Sequence, residues 1–137
     1  MIPSRLLVFA TILSGCVASS VPSEPVSGVP LDIVQTRDDY FANHPAEQSF
    51  ALLDRAGKGF RFHRDGSLDY ISFGARTNVT THTTISEIAG NRFCMEPAGS
   101  WTGGCATVAG TLEGPISSVV IFGNGAERRV TLHLAPA

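Results

Sequence analysis

From Gly59 onward the apolar residues recur at every second position, and that period restricts this part of the chain to strands. Phe60 and Phe62 alternate with Arg61 and His63, and Leu68 and Tyr70 follow beyond Arg64-Asp65-Gly66. An Asp-Gly pair between two alternating runs is a strong hairpin signal. A three-residue loop with Gly66 left-handed sets Phe62 opposite Leu68 and Phe60 opposite Tyr70, all on one face. A two-residue loop would set Phe62 against Asp69, so the three-residue form is expected. Ile71 and Phe73 point to the other face, which predicts a strand buried on both sides near its end.

The same pattern continues downstream. Residues 80–88 are rich in Thr and Ile, which favour strands. Ala89-Gly90-Asn91 reads as a turn and Arg92 to Met95 as the returning strand. The loop 97–104 (PAGSWTGG) carries Trp101 at its tip and leads to a strand from Cys105 to Val108. Ser117 to Phe122 and Val130 to Leu134 make the last hairpin around Asn124-Gly125. About six strands in sequence, joined mostly by short turns, predict an antiparallel meander forming a small barrel or sandwich.

One helix is expected ahead of the strands, over residues 45–55. Pro45 suits the first helical position, Glu47 the first turn, and Arg55 with Gly57 the end. Ala46, Phe50 and Leu53 fall at i, i+4 and i+7, one helical face. Such a helix would cap an open end of the sheet. Leu31 to Gln35 reads as a short edge strand or the start of the domain, and Asp38 to Phe41 as a helical turn capped by its acids.

The first sixteen residues set the compartment. Arg5 precedes the apolar run Leu6 to Leu13, and the small residues Ser14 and Gly15 lead to Cys16. A charged start, an apolar run of about 7–15 residues and small residues at its end make a secretory signal. The run is too short for a bilayer, which takes about 20 residues. Leu13-Ser14-Gly15-Cys16 resembles the lipobox of bacterial lipoproteins. The resemblance implies acylation of the Cys16 thiol, cleavage before it and acylation of the new amine. Several acyl chains anchor stably where one does not. Val17, where an Asp often retains such proteins at the inner membrane, points to the outer membrane of the bacterial envelope. The expected organisation is a signal peptide at 1–15, a lipidated Cys and Ser/Pro-rich tether at 16–30, and one β-rich domain at 31–137.

Removing the signal from 137 residues leaves 122, one domain of ordinary size. Three cysteines are odd for an exported protein. With Cys16 taken by lipid, Cys94 and Cys105 remain, and a disulfide between them is expected. A metal pair is the poorer alternative, since there is no CxxC and no neighbouring His. Without Arg5 the formal net charge is −3, from 9 basic and 12 acidic residues. No basic run exists, so the footprint of a nucleic-acid binder is missing.

No catalytic constellation stands out, and no cofactor motif is present. The four histidines are His44, His63, His82 and His133, with no HExxH. His63 and His82 could meet on adjacent strands near Asp65 or Asp69. His63 alternates with Phe62 and His82 lies in the Thr-rich run, so solvent-facing strand positions are expected rather than a metal site. No G-x-S-x-G elbow is present. Trp101, on a loop tied at its base by cysteines, is either an interface anchor or a lid folded over one end of the barrel.

From Gly59 to Val108 the order of features resembles small exported bacterial β-rich proteins of unassigned function. The shared features are an aromatic strand, a D-G turn, a β-rich return and a Cys in the next strand. The tryptophan expected near His82 is absent. That resemblance implies a shared β fold and no activity. The function expected is that of a non-enzymatic envelope lipoprotein binding a protein or envelope polymer. The alternative is a small-ligand carrier using the barrel interior, and a small periplasmic hydrolase comes third.

Overall fold

A computed structural model describes residue 26 and residues 28–136. The expected signal peptide, Cys16 and most of the segment expected to be a tether lie outside the described residues. The described residues form one helix, α1 (Ile33–Asn43), and eight strands: β1 (Ser49–Leu53), β2 (Gly59–His63), β3 (Ser67–Ile71), β4 (Thr80–Ala89), β5 (Arg92–Met95), β6 (Gly104–Gly110), β7 (Ile116–Phe122) and β8 (Glu127–Pro136). Each strand pairs antiparallel with the next, and β8 pairs with β1, so the meander closes into a barrel. The expected meander is correct, and it has eight strands rather than about six. No helix among the described residues is long and apolar enough to cross a membrane.

The β2–β3 hairpin has the three-residue form. Phe62 pairs with Leu68 and Phe60 with Tyr70, and Gly66 sits at φ 96°. Tyr70 and Ile71 are both buried, so the end of β3 is covered on both faces. Phe73 departs from expectation: the strand has ended, and the loop turns its ring inward against Phe60, 5.8 Å away. The last hairpin turns at Asn124-Gly125, where Phe122 N–H donates to Ala126 O at 2.8 Å. Cys94 and Cys105 are register partners on β5 and β6, with sulfurs at bonding distance, 2.11 Å.

The helix over 45–55 is not formed. Residues 49–53 are β1, and Phe50 and Leu52 point into the barrel. A short apolar run satisfies either period, and closure decides the matter. Only a strand here can pair with β2 on one edge and β8 on the other, leaving no exposed edge. The helix lies earlier and takes in Ile33 to Gln35 and the Asp38–Phe41 turn, while Leu31 stays outside it, its N–H donating to Val108 O at 3.2 Å. Its cap is Asp32, which accepts from Gln35 N–H at 2.8 Å, an arrangement worth about 1 kcal/mol. Asp38 and Asp39 are mid-helix. Ile33, Thr36, Tyr40 and Phe41 form the buried stripe at i, i+3, i+7 and i+8.

The capping role belongs to α1. It lies across the barrel end formed by the β2–β3, β4–β5 and β6–β7 turns, and Ile33 N–H donates to Gly90 O at 2.9 Å. Tyr40 stands 4.5 Å and Phe41 5.5 Å from the Phe50 ring. Arg64 clamps the segment after the helix. Its guanidinium donates to Glu47 O at 2.6 Å and His44 O at 3.1 Å, and lies 4.6 Å over Phe41.

The interior is filled by side chains, as an eight-stranded barrel allows. Phe50, Phe60, Phe62, Leu68, Phe93, Val108, Ile116, Val120 and Leu132 are all buried. Phe93 meets Phe60 and Phe62 edge-on at 5.3 Å each, the geometry that ring quadrupoles favour.

Candidate functional site

The outer wall of β2, β3 and β4 carries the densest group of chemically capable side chains among the described residues. Alternation sends Arg61 and His63 outward from β2, Ser67 and Asp69 from β3, and His82 and Thr84 from β4. The register sets Asp69 directly beside His82, while His63 reaches it diagonally. Asp69 bridges both imidazoles. Its Oδ2 lies 2.9 Å from His63 Nε2 and its Oδ1 2.6 Å from His82 Nδ1. The two rings are 5.8 Å apart. The Asp69 side chain is only 19% exposed, against 67% for His82, so the carboxylate is recessed beneath the rings.

Of the two acids that the sequence brings near these histidines, only Asp69 bonds to them. Asp65 instead accepts from Ser67 N–H at 2.9 Å and Ser67 Oγ at 2.7 Å within the hairpin. Arg61 is the register partner of Asp69, yet its guanidinium donates to Ser49 Oγ at 3.4 Å, on the strand to the other side.

The electrostatics of Asp69 follow from these contacts. Partial burial pushes its carboxyl up. Hydrogen bonds from His82 and His63, together with their charge, outweigh burial and hold it below the ordinary 3.8. A group depressed in the folded state stabilises fully above its unfolded value, and that stabilisation is lost as pH falls through the folded value. Asp69→Asn is therefore expected to flatten the loss of stability between about pH 5 and pH 2. Urea unfolding of both proteins at the two pH values checks this, and identical pH dependence would exclude the assigned role.

A His–acid contact of this kind can hold a proton or a metal ion. It stands on the outer wall, however, and three clefts among the described residues lie away from it. One, of about 480 Å³, runs beside α1 between Asp39, Tyr40, His44, Thr111, Glu113 and Leu134. There His44 stacks on Tyr40 at 4.1 Å. Burial, with the hydrogen bond to Glu47, pushes the Tyr40 phenol up to about 12. Neither the Tyr40–Glu47 pair nor the Arg64 clamp is visible in the sequence, because each joins segments whose relation depends on how α1 docks.

Trp101 sits at the end of the barrel opposite α1. It is half-buried and stacks on Tyr70 at 4.6 Å and 14°, and its backbone pairs with Ala98. Phe122 lies 5.9 Å from the same tyrosine ring. Trp101 thus packs over the core while keeping part of its ring in solvent. Val29 and Pro30, at the end of the segment expected to be a tether, pair with β6 at the α1 end, where Gly110 N–H donates to Val29 O at 2.8 Å. His133 is exposed on β8.

Comparison with known proteins finds no match: no family model, no curated protein and no solved structure is similar to this chain.

Proposed function

We propose that this chain is a lipoprotein of the bacterial envelope, acylated on Cys16, whose barrel is a non-enzymatic binding module for a protein or envelope polymer. The observation that carries the binding reading is the filled interior. With Phe93 against both Phe60 and Phe62, α1 across one end and Trp101 over the other, recognition falls to the outer wall and the rims. The same packing weighs against a small-ligand carrier, which needs a cavity lined by Phe60, Phe62, Tyr70 and Phe73. Among the described residues the His63–Asp69–His82 cluster lies on the outer wall, away from the clefts described above, and this favours binding over hydrolysis.

The lipobox supports the anchor, and Val17 favours the outer membrane. The tether enters at the α1 end, so the Trp101 rim is the part of the barrel farthest from that entry. A partly exposed aromatic on a loop stapled at its base suits an interface anchor.

Mass spectrometry of the native protein tests the anchor and the bridge together. The expected species begins at an acylated Cys16, with Cys94 and Cys105 joined. A chain beginning at Met1 without lipid overturns the envelope reading. Crosslinking in intact cells tests the partner. Folded Trp101→Ala protein is expected to lose most of the crosslinked species, and undiminished crosslinking removes Trp101 from the interface.

A further inference from the structure

We propose that His63, Asp69 and His82 form a binding site for one divalent transition-metal ion of the zinc class on the outer wall of the barrel. A ligand nitrogen from each ring and a carboxylate oxygen lie within 4.8 Å of one another. Zinc takes His nitrogen and carboxylate oxygen at about 2.0–2.2 Å in tetrahedral sites, which separates ligand atoms by about 3.3 Å. The Asp69 contacts of 2.9 and 2.6 Å, each to a different carboxylate oxygen, must open by about half an ångström, and the two ring nitrogens, no more than 4.8 Å apart, must draw together to reach that spacing. Side-chain rotation supplies such a shift without moving the strands.

Three features distinguish this cluster from an ordinary surface ion pair. First, the ligands come from three consecutive strands whose register is set by the barrel, so the site is ordered before any ion arrives. Second, two neutral imidazoles and one carboxylate suit zinc-class ions, whereas calcium and magnesium prefer oxygen ligands. Third, the competing groups are engaged elsewhere: Arg61 is held at Ser49 and Asp65 at Ser67. Three protein ligands leave a fourth position for water or for a donor group on a partner. A metal held there could bridge this wall to a partner's imidazole or carboxylate.

The test uses the full-length protein, purified in detergent, stripped with EDTA and titrated with zinc chloride by calorimetry near pH 7.5. One zinc ion per chain is expected. His63→Ala or His82→Ala should lower the affinity at least about tenfold, and His133→Ala should leave it unchanged. Circular dichroism confirms that each variant folds, and His63→Gln and His82→Gln serve if the alanine forms do not. NMR of the unaltered protein gives a second reading, in which zinc should move the ring signals of His63 and His82 and leave those of His133. No saturable binding, binding kept within about twofold in both His variants, or unmoved His63 and His82 signals would each overturn the site.

Discussion

Phe60→Ala should lower the stability of the barrel by about 3–5 kcal/mol. The side chain is fully buried and lies within 6 Å of the Tyr70, Phe73 and Phe93 rings, at 5.9, 5.8 and 5.3 Å. Removing it takes away the transfer energy of a large apolar group and leaves a cavity that closed strands cannot collapse to fill. Domains of this size are stable by only about 5–15 kcal/mol, so the variant should unfold at a much lower denaturant concentration. Urea unfolding followed by tryptophan fluorescence measures it, since Trp101 stacks on Tyr70 beside the same cluster. A loss below about 1 kcal/mol would mean that the interior is loosely packed. It would also restore the ligand-carrier reading, which the filled core disfavours.

Removing the bridge should have the next largest effect. Cys94 and Cys105 face each other on neighbouring strands and are 11 residues apart in sequence. In the chain-entropy description, closing a loop of this length stabilises the fold by about 3 kcal/mol, because the unfolded chain loses freedom. The double variant Cys94→Ala, Cys105→Ala is expected to keep the strand signal in circular dichroism and to unfold about 3 kcal/mol more easily. The loop it closes carries Trp101, so the fluorescence of that residue should also become more solvent-like. Equal stability of the double variant and the oxidised protein would show that the strand pairing alone orders this edge.

Much of the barrel is legible in the residues themselves. The Asp65-Gly66 and Asn124-Gly125 turns are local chemistry, and they register the strands on either side without help from the rest of the chain. Alternation around Phe60 and Leu68 identifies the inward face, and it sends His63 to the outward one, with Asp65 and Asp69 both left as neighbours for the histidines. The pairing of Cys94 with Cys105 follows from counting thiols once Cys16 is assigned to lipid.

What the sequence by itself determined, then, was the period, the turns and the side of the wall on which each residue stands. Those properties reside within a few residues of chain. The tertiary structure decided which competing period prevails at Phe50, where pairing with both β2 and β8 makes a strand of a segment that also reads as a helix. It decided that α1 begins at Ile33 and plugs one end, because that stripe is buried only once the barrel exists. It also decided that Asp69 rather than Asp65 joins the two imidazoles, since a diagonal contact depends on register and twist across three strands. Distances between strands are set by closure of the whole sheet, and no short stretch of residues encodes them.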